Sequence, residues 1–83
     1  MKKCFVYMVE CSDGSLYTGW TTDVDARVAV HNSGSGAKYT RSRLPVKLVY
    51  SEELEDRSAA LKREAAIKKM TREKKELLIK QGR

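Results

Sequence analysis

Residues Phe5 to Trp20 read as two strands around one tight turn, and that turn constrains what the rest of the chain can do. Cys4-Phe5-Val6-Tyr7-Met8-Val9 is β-branched and aromatic, Ser12-Asp13-Gly14 is turn chemistry, and Leu16-Tyr17-Thr18-Gly19-Trp20 returns to strand residues. Register decides which side chains meet, because a slip of one residue moves each to the other face. A two-residue loop at Asp13-Gly14 places Tyr7 opposite Trp20 and sends the two tyrosines to different faces. A three-residue loop, with Gly14 in the left-handed conformation of a bulge, pairs Cys11 with Ser15, Val9 with Tyr17 and Tyr7 with Gly19. The second register is the one expected. It makes Tyr7 and Tyr17 diagonal neighbours on one face, about 7 to 8 Å apart at the backbone. Gly19, opposite Tyr7, then leaves backbone open to a ligand.

After the hairpin, Thr22 can cap a helix that Asp25 answers three residues on, running to about Asn32 before Ser33-Gly34-Ser35-Gly36 stops it. Val24, Arg27, Val28 and His31 fall on one stripe of that helix. Arg27 there is either a functional cation or an arginine reaching out to solvent. His31 is either part of a site or a partly exposed imidazole whose cationic form the helix C-terminus favours. Gly34 to Leu44 reads as a polar, basic loop in which Lys38, Tyr39, Arg41 and Arg43 suit phosphate contact and stacking. Pro45 opens a third strand, Val46 to Tyr50, with Tyr50 on its core face.

Asp56 or Ser58 caps a helix from about Arg57 to Met70, whose apolar arc is Ala59, Ala60, Leu61, Ala65, Ala66, Ile67 and Met70. Glu64 lies inside that arc. A carboxylate there is costly to bury unless it is paired, protonated or bound to a cation, and a salt bridge to Arg27 or Lys68 is the plain structural account. Thr71 caps a last helix from Arg72 to about Gln81.

With 83 residues the chain supports one small domain, residues 1–83, burying about 60 to 65% of its unfolded surface. The formal charge of +6 favours a polyanionic partner, and between Gly36 and Tyr50 the charged residues Lys38, Arg41, Arg43 and Lys47 meet no acid. Cys4 and Cys11 lie on one strand and cannot bridge, and neither has a zinc-ligand partner at a suitable spacing, so both are expected to be reduced thiols. No apolar run approaches a membrane span, and a soluble cytoplasmic protein, monomeric rather than oligomeric, is expected.

The order Val6-Tyr7, then Tyr17-Thr18-Gly19, then Arg27, His31 and Glu64 resembles the GIY-YIG nuclease domain over nearly the whole chain, from about Phe5 to Leu78. It is most similar to small single-domain bacterial members, which share the Gly36-Ala37-Lys38 loop and a helix like Ser58 to Glu64. Phe5 and Thr18 depart from the first glycine and the isoleucine of the motifs. Trp20 stands where several relatives carry lysine, and no asparagine follows Glu64. The resemblance implies an α+β fold: a three-stranded antiparallel sheet flanked by about three helices. It implies a divalent metal, Mg2+ or Mn2+, on Glu64, and Tyr7 and Tyr17 near the scissile phosphate, one of them aiding deprotonation of water. It implies further that Arg27 steadies the transition state and that His31 positions or shuttles a proton. The function expected is metal-dependent hydrolysis of DNA, branched or damaged substrates included and RNA not set apart, by structure rather than sequence. The competing reading is a nucleic-acid-binding module of the same fold that cleaves little or nothing.

Overall fold

The structure, a computed structural model, describes residues 3–82. Strand β1 (Cys4–Glu10) and strand β2 (Leu16–Thr21) form the hairpin, helix α1 (Val24–Asn32) and a short helix α2 (Lys38–Arg41) follow, and strand β3 (Lys47–Leu54) returns to the sheet before helices α3 (Arg57–Lys68) and α4 (Arg72–Gln81). The sheet is antiparallel in the order β2-β1-β3, so the most apolar strand is central and both edges are more polar.

The hairpin takes the three-residue loop. Val9 pairs with Tyr17 and Tyr7 with Gly19, Cys11 N–H donates to the Ser15 carbonyl at 2.8 Å, and Gly14 adopts φ 84°. Asp13 fixes the turn by accepting from the Ser15 amide at 3.0 Å and its hydroxyl at 2.6 Å. That register divides the core in two. Cys4, Val6 and Met8 pack with Ala60 and Ile67 of α3, joined by Trp20, Tyr50, Met70 and Leu78. Tyr7, Val9 and Cys11 pack on the other face with Val46, Tyr17, Val24, Val28 and Leu44. The sheet is thus a middle layer, with α1 and the segment after it on one side and α3 and α4 on the other.

Several details differ from the sequence reading. Asp23, not Thr22, caps α1, its carboxylate accepting from Ala26 N–H at 3.1 Å, because β2 runs on to Thr21 and the helix starts one residue later than expected. The stretch read as a wholly irregular loop contains α2, which makes four helices rather than three. The third strand extends past Tyr50 to Leu54, since Ser51, Glu52 and Glu53 pair with Tyr7, Val6 and Phe5. Helix α3 ends at Lys68 rather than Met70. The caps of the last two helices are as read, Asp56 accepting from Ala59 N–H at 2.8 Å and Thr71 from Lys74 N–H at 3.2 Å.

Candidate active site

Tyr7 sits in the middle of β1 with its side chain on the α1 face and 1% exposed. Its hydroxyl lies 2.8 Å from His31 Nε2, and the other imidazole nitrogen, Nδ1, lies 3.0 Å from Thr40 Oγ1. Histidine and threonine are both 0% exposed, so these bonds form in the interior. Of the two readings of His31, the partly exposed, cationic imidazole is therefore set aside: burial, and after it the nearby charge of Arg27, lowers its pKa and favours the neutral ring. Burial also raises the Tyr7 pKa; the adjacent Arg27 guanidinium opposes this, while Tyr17 and Glu64 add to it. Arg27 is half-buried and its charge lies close enough to the Tyr7 hydroxyl to lower its pKa.

Glycine makes this packing possible. A Cβ on Gly19 would stand 2.6 Å from Tyr7 Oη and 2.9 Å from its ring carbon Cζ. Gly19 is itself buried, so the expectation that its backbone lies open to a ligand is corrected: the Tyr7 phenol fills that space. Gly36 plays the same part for His31, whose ring and Cα occupy the place a side chain would need.

Tyr17 forms the outer wall. Its ring meets His31 edge-on at 5.4 Å between centroids and stacks with Tyr39 of α2 at 6.0 Å and 24°. Tyr39 and the basic residues Lys38 and Arg41 on either side of it are exposed, although Arg41 Nε donates to the Gly36 carbonyl at 3.2 Å. Arg43 is drawn inward instead. It donates to Asp13 at 3.1 Å and to the Tyr39 carbonyl at 2.7 Å, with its guanidinium carbon 4.0 Å from the Tyr39 centroid, and so ties the end of α2 to the hairpin turn.

Glu64 arrives from the other layer. Helix α3 packs on β1 and on the edge strand β2, and Glu64 on it, with a side chain 17% exposed, pairs with Lys68 at 3.2 Å. Of the two partners the sequence allowed, Lys68 rather than Arg27 is taken. The Lys68 ammonium also lies 5.9 Å from the Tyr17 centroid. Trp20 faces away, into the α3 and α4 core, with Arg57 5.6 Å from its ring. Tyr50 is likewise a core residue, its hydroxyl donating to Glu52 at 2.6 Å.

Two residues of the site were missed or undervalued in the sequence. Thr40 carries no signal of its own in a polar stretch, and Lys68 entered only as a possible partner of Glu64. A cavity of about 420 Å³ between the sheet and α4 is lined by Leu16, Leu48, Arg72 and Ile79 among others and by none of the residues just described. Convergence of chemistry, not volume, marks the site.

Tyr7, Tyr17, Arg27 and His31 thus share the α1 face of the sheet, with Glu64 near enough to act on the Tyr7 phenol. Residues 3–77 match the GIY-YIG catalytic domain, and the chain belongs to that family. It is 63% identical over 78 residues to a UPF0213 protein of Haloquadratum walsbyi, covering 94% of this chain and 88% of that one. It is 62% identical over 81 residues to a UPF0213 protein of Staphylococcus aureus, covering 98% and 99%. Two solution NMR structures share the fold at 47% identity. One is a UPF0213 protein of Bacillus halodurans with TM-score 0.61, covering 94% of this chain and 83% of that one. The other is a protein of E. faecalis with TM-score 0.66, covering 98% and 86%. Among the described residues no helix is long and apolar enough to cross a membrane.

Proposed function

We propose that the chain is a divalent-metal-dependent endonuclease that hydrolyses DNA phosphodiester bonds and selects its substrate by structure rather than sequence. The observation that carries this reading is the buried pairing of the Tyr7 hydroxyl with His31 Nε2 at 2.8 Å, with Arg27 beside it and Tyr17 at the outer wall. A phenol held against a neutral imidazole can take a proton from water while passing its own to the ring nitrogen. Arg27 is then placed to meet charge developing on the phosphate. Exposed Lys38, Tyr39 and Arg41 offer backbone and stacking contacts next to Tyr17, which suits recognition of DNA shape, branched or damaged sites included.

Glu64 is the residue that would hold the cation. Mg2+ is commonly bound by one or two carboxylates while water and substrate phosphate complete its shell. Among the described residues no three His, Cys, Asp or Glu side chains come together, so the donor set fits such an ion and does not fit a closed protein cage. When bound, Mg2+ or Mn2+ supplies Lewis-acid stabilisation of phosphoryl oxygen. Lys68 pairs with one of the two Glu64 carboxylate oxygens, Oε2, which leaves Oε1 as the oxygen that would meet the ion. The same contact favours the second reading, a binding module that cuts little or nothing, because the carboxylate already has a cationic partner.

Labelled duplex, flap, branched and single-stranded DNA, incubated with Mg2+ or Mn2+, separates the two. The nuclease reading expects the wild type to cut one of these, Tyr7→Phe to lower the rate by about 10²- to 10⁴-fold, and Glu64→Ala to abolish cleavage with binding little changed. Binding by wild type and Glu64→Ala with no cleavage by either overturns it in favour of the module.

A further inference from the structure

Buried hydrogen bonds at the site have a direction that follows from what each group can donate. Tyr7 Oη lies 2.8 Å from His31 Nε2, its hydrogen-bond partner among the described residues, with the Arg27 guanidinium close by. Arginine accepts nothing, so the phenol proton has only Nε2 to go to. A neutral imidazole that accepts at Nε2 carries its proton on Nδ1, which faces Thr40 Oγ1 at 3.0 Å. Thr40 then accepts from the ring and sends its single proton to the Ala37 carbonyl, 2.9 Å away at the start of α2. The chain of bonds thus runs one way, from Tyr7 through His31 and Thr40 to backbone, and leaves none of these hydroxyl or ring protons without an acceptor.

We infer that Thr40 is a positioning residue that holds His31 in the Nδ1–H form and so reserves Nε2 for the proton of Tyr7. The opposite form places N–H against the phenol, leaves the Tyr7 proton with no acceptor and removes the lone pair the relay needs. Low His31 basicity, caused first by burial, is consistent with a ring held neutral in one form. Thr40 reaches His31 because α2 carries it inward while Lys38, Tyr39 and Arg41 on the same turn stay exposed. Gly36 closes the pocket by leaving room for the ring. The value of this arrangement for cleavage rests on the nuclease reading; the form of the ring does not.

The test uses the full chain labelled with 15N-histidine, in which His31 is the single histidine and gives one unambiguous ring spectrum. Near neutral pH the wild type is expected to show Nδ1 protonated and Nε2 bare. Thr40→Val keeps the shape but removes the acceptor, and it is expected to shift population to the Nε2–H form and to lower kcat about 10- to 100-fold with KM little changed. Thr40→Ser is expected to restore both. A wild-type ring protonated at Nε2, or a Thr40→Val ring with its protons where the wild type has them, overturns the assignment. Absence of cleavage by the wild type overturns the nuclease reading alone, since the spectrum decides the role of Thr40 in either case.

Discussion

His31 shows how burial turns a titration into stability. Its folded pKa lies below its unfolded value of about 6.5, so below that value the unfolded chain binds more protons than the folded one. Stability therefore rises with pH across this window: the contribution is whole above the unfolded pKa and is lost as pH falls through the folded one. Urea midpoints taken from pH 7 down to about 5 should decline in the wild type, and His31→Gln should show a flatter slope in that range. Thr18 is a second case at this scale. It is 3% exposed on the α3 face of the sheet, and its hydroxyl has no hydrogen-bond partner among the described residues. Thr18→Val keeps the shape and discards the unpaired group, so it should raise unfolding stability by about 1 kcal/mol in urea titration.

Among the elements, α1 is fixed to the sheet by its last residue. Asn32 Nδ2 donates to the Val46 carbonyl at 3.0 Å, and Val46 N–H donates to Asn32 Oδ1 at 2.8 Å, which satisfies both backbone groups just before β3. Asn32→Ala orphans them, and the expected cost is about 1 to 3 kcal/mol by denaturant unfolding. Because His31 precedes Asn32, this clamp also sets how deep the imidazole sits. The hairpin was legible because turn chemistry and alternation jointly selected one register, and Glu64 stood out as a carboxylate in an apolar arc. Helix α2 was not legible, since four polar residues give no periodicity and are held by contacts such as Arg43 with Asp13. The end of β3 hid behind its charges: Glu52 and Glu53 belong to an edge strand and pair with Arg63 at 3.0 Å and Lys3 at 3.2 Å. Spacing placed His31 on the inner stripe of α1, but its depth depends on Gly36 and Thr40, which follow the helix in a stretch with no periodicity to announce them.

For the whole molecule, the net charge of +6 sets the long-range attraction for a polyanion, while the site depends on how the layers meet. Tyr7, Tyr17, Arg27 and His31 belong to the α1 face of the sheet, and Glu64 to the helix packed on the reverse. All four of the first group lie in the chain before Glu64 is reached. A chain still being synthesised therefore carries its phenols, imidazole and basic turn before its acidic partner, and α3 can present that partner only once it docks on β1 and β2. Under the nuclease reading this orders the hazards: an unfinished or frayed molecule can cling to nucleic acid but holds no complete cutting centre. Completion of the fold is itself the safety catch.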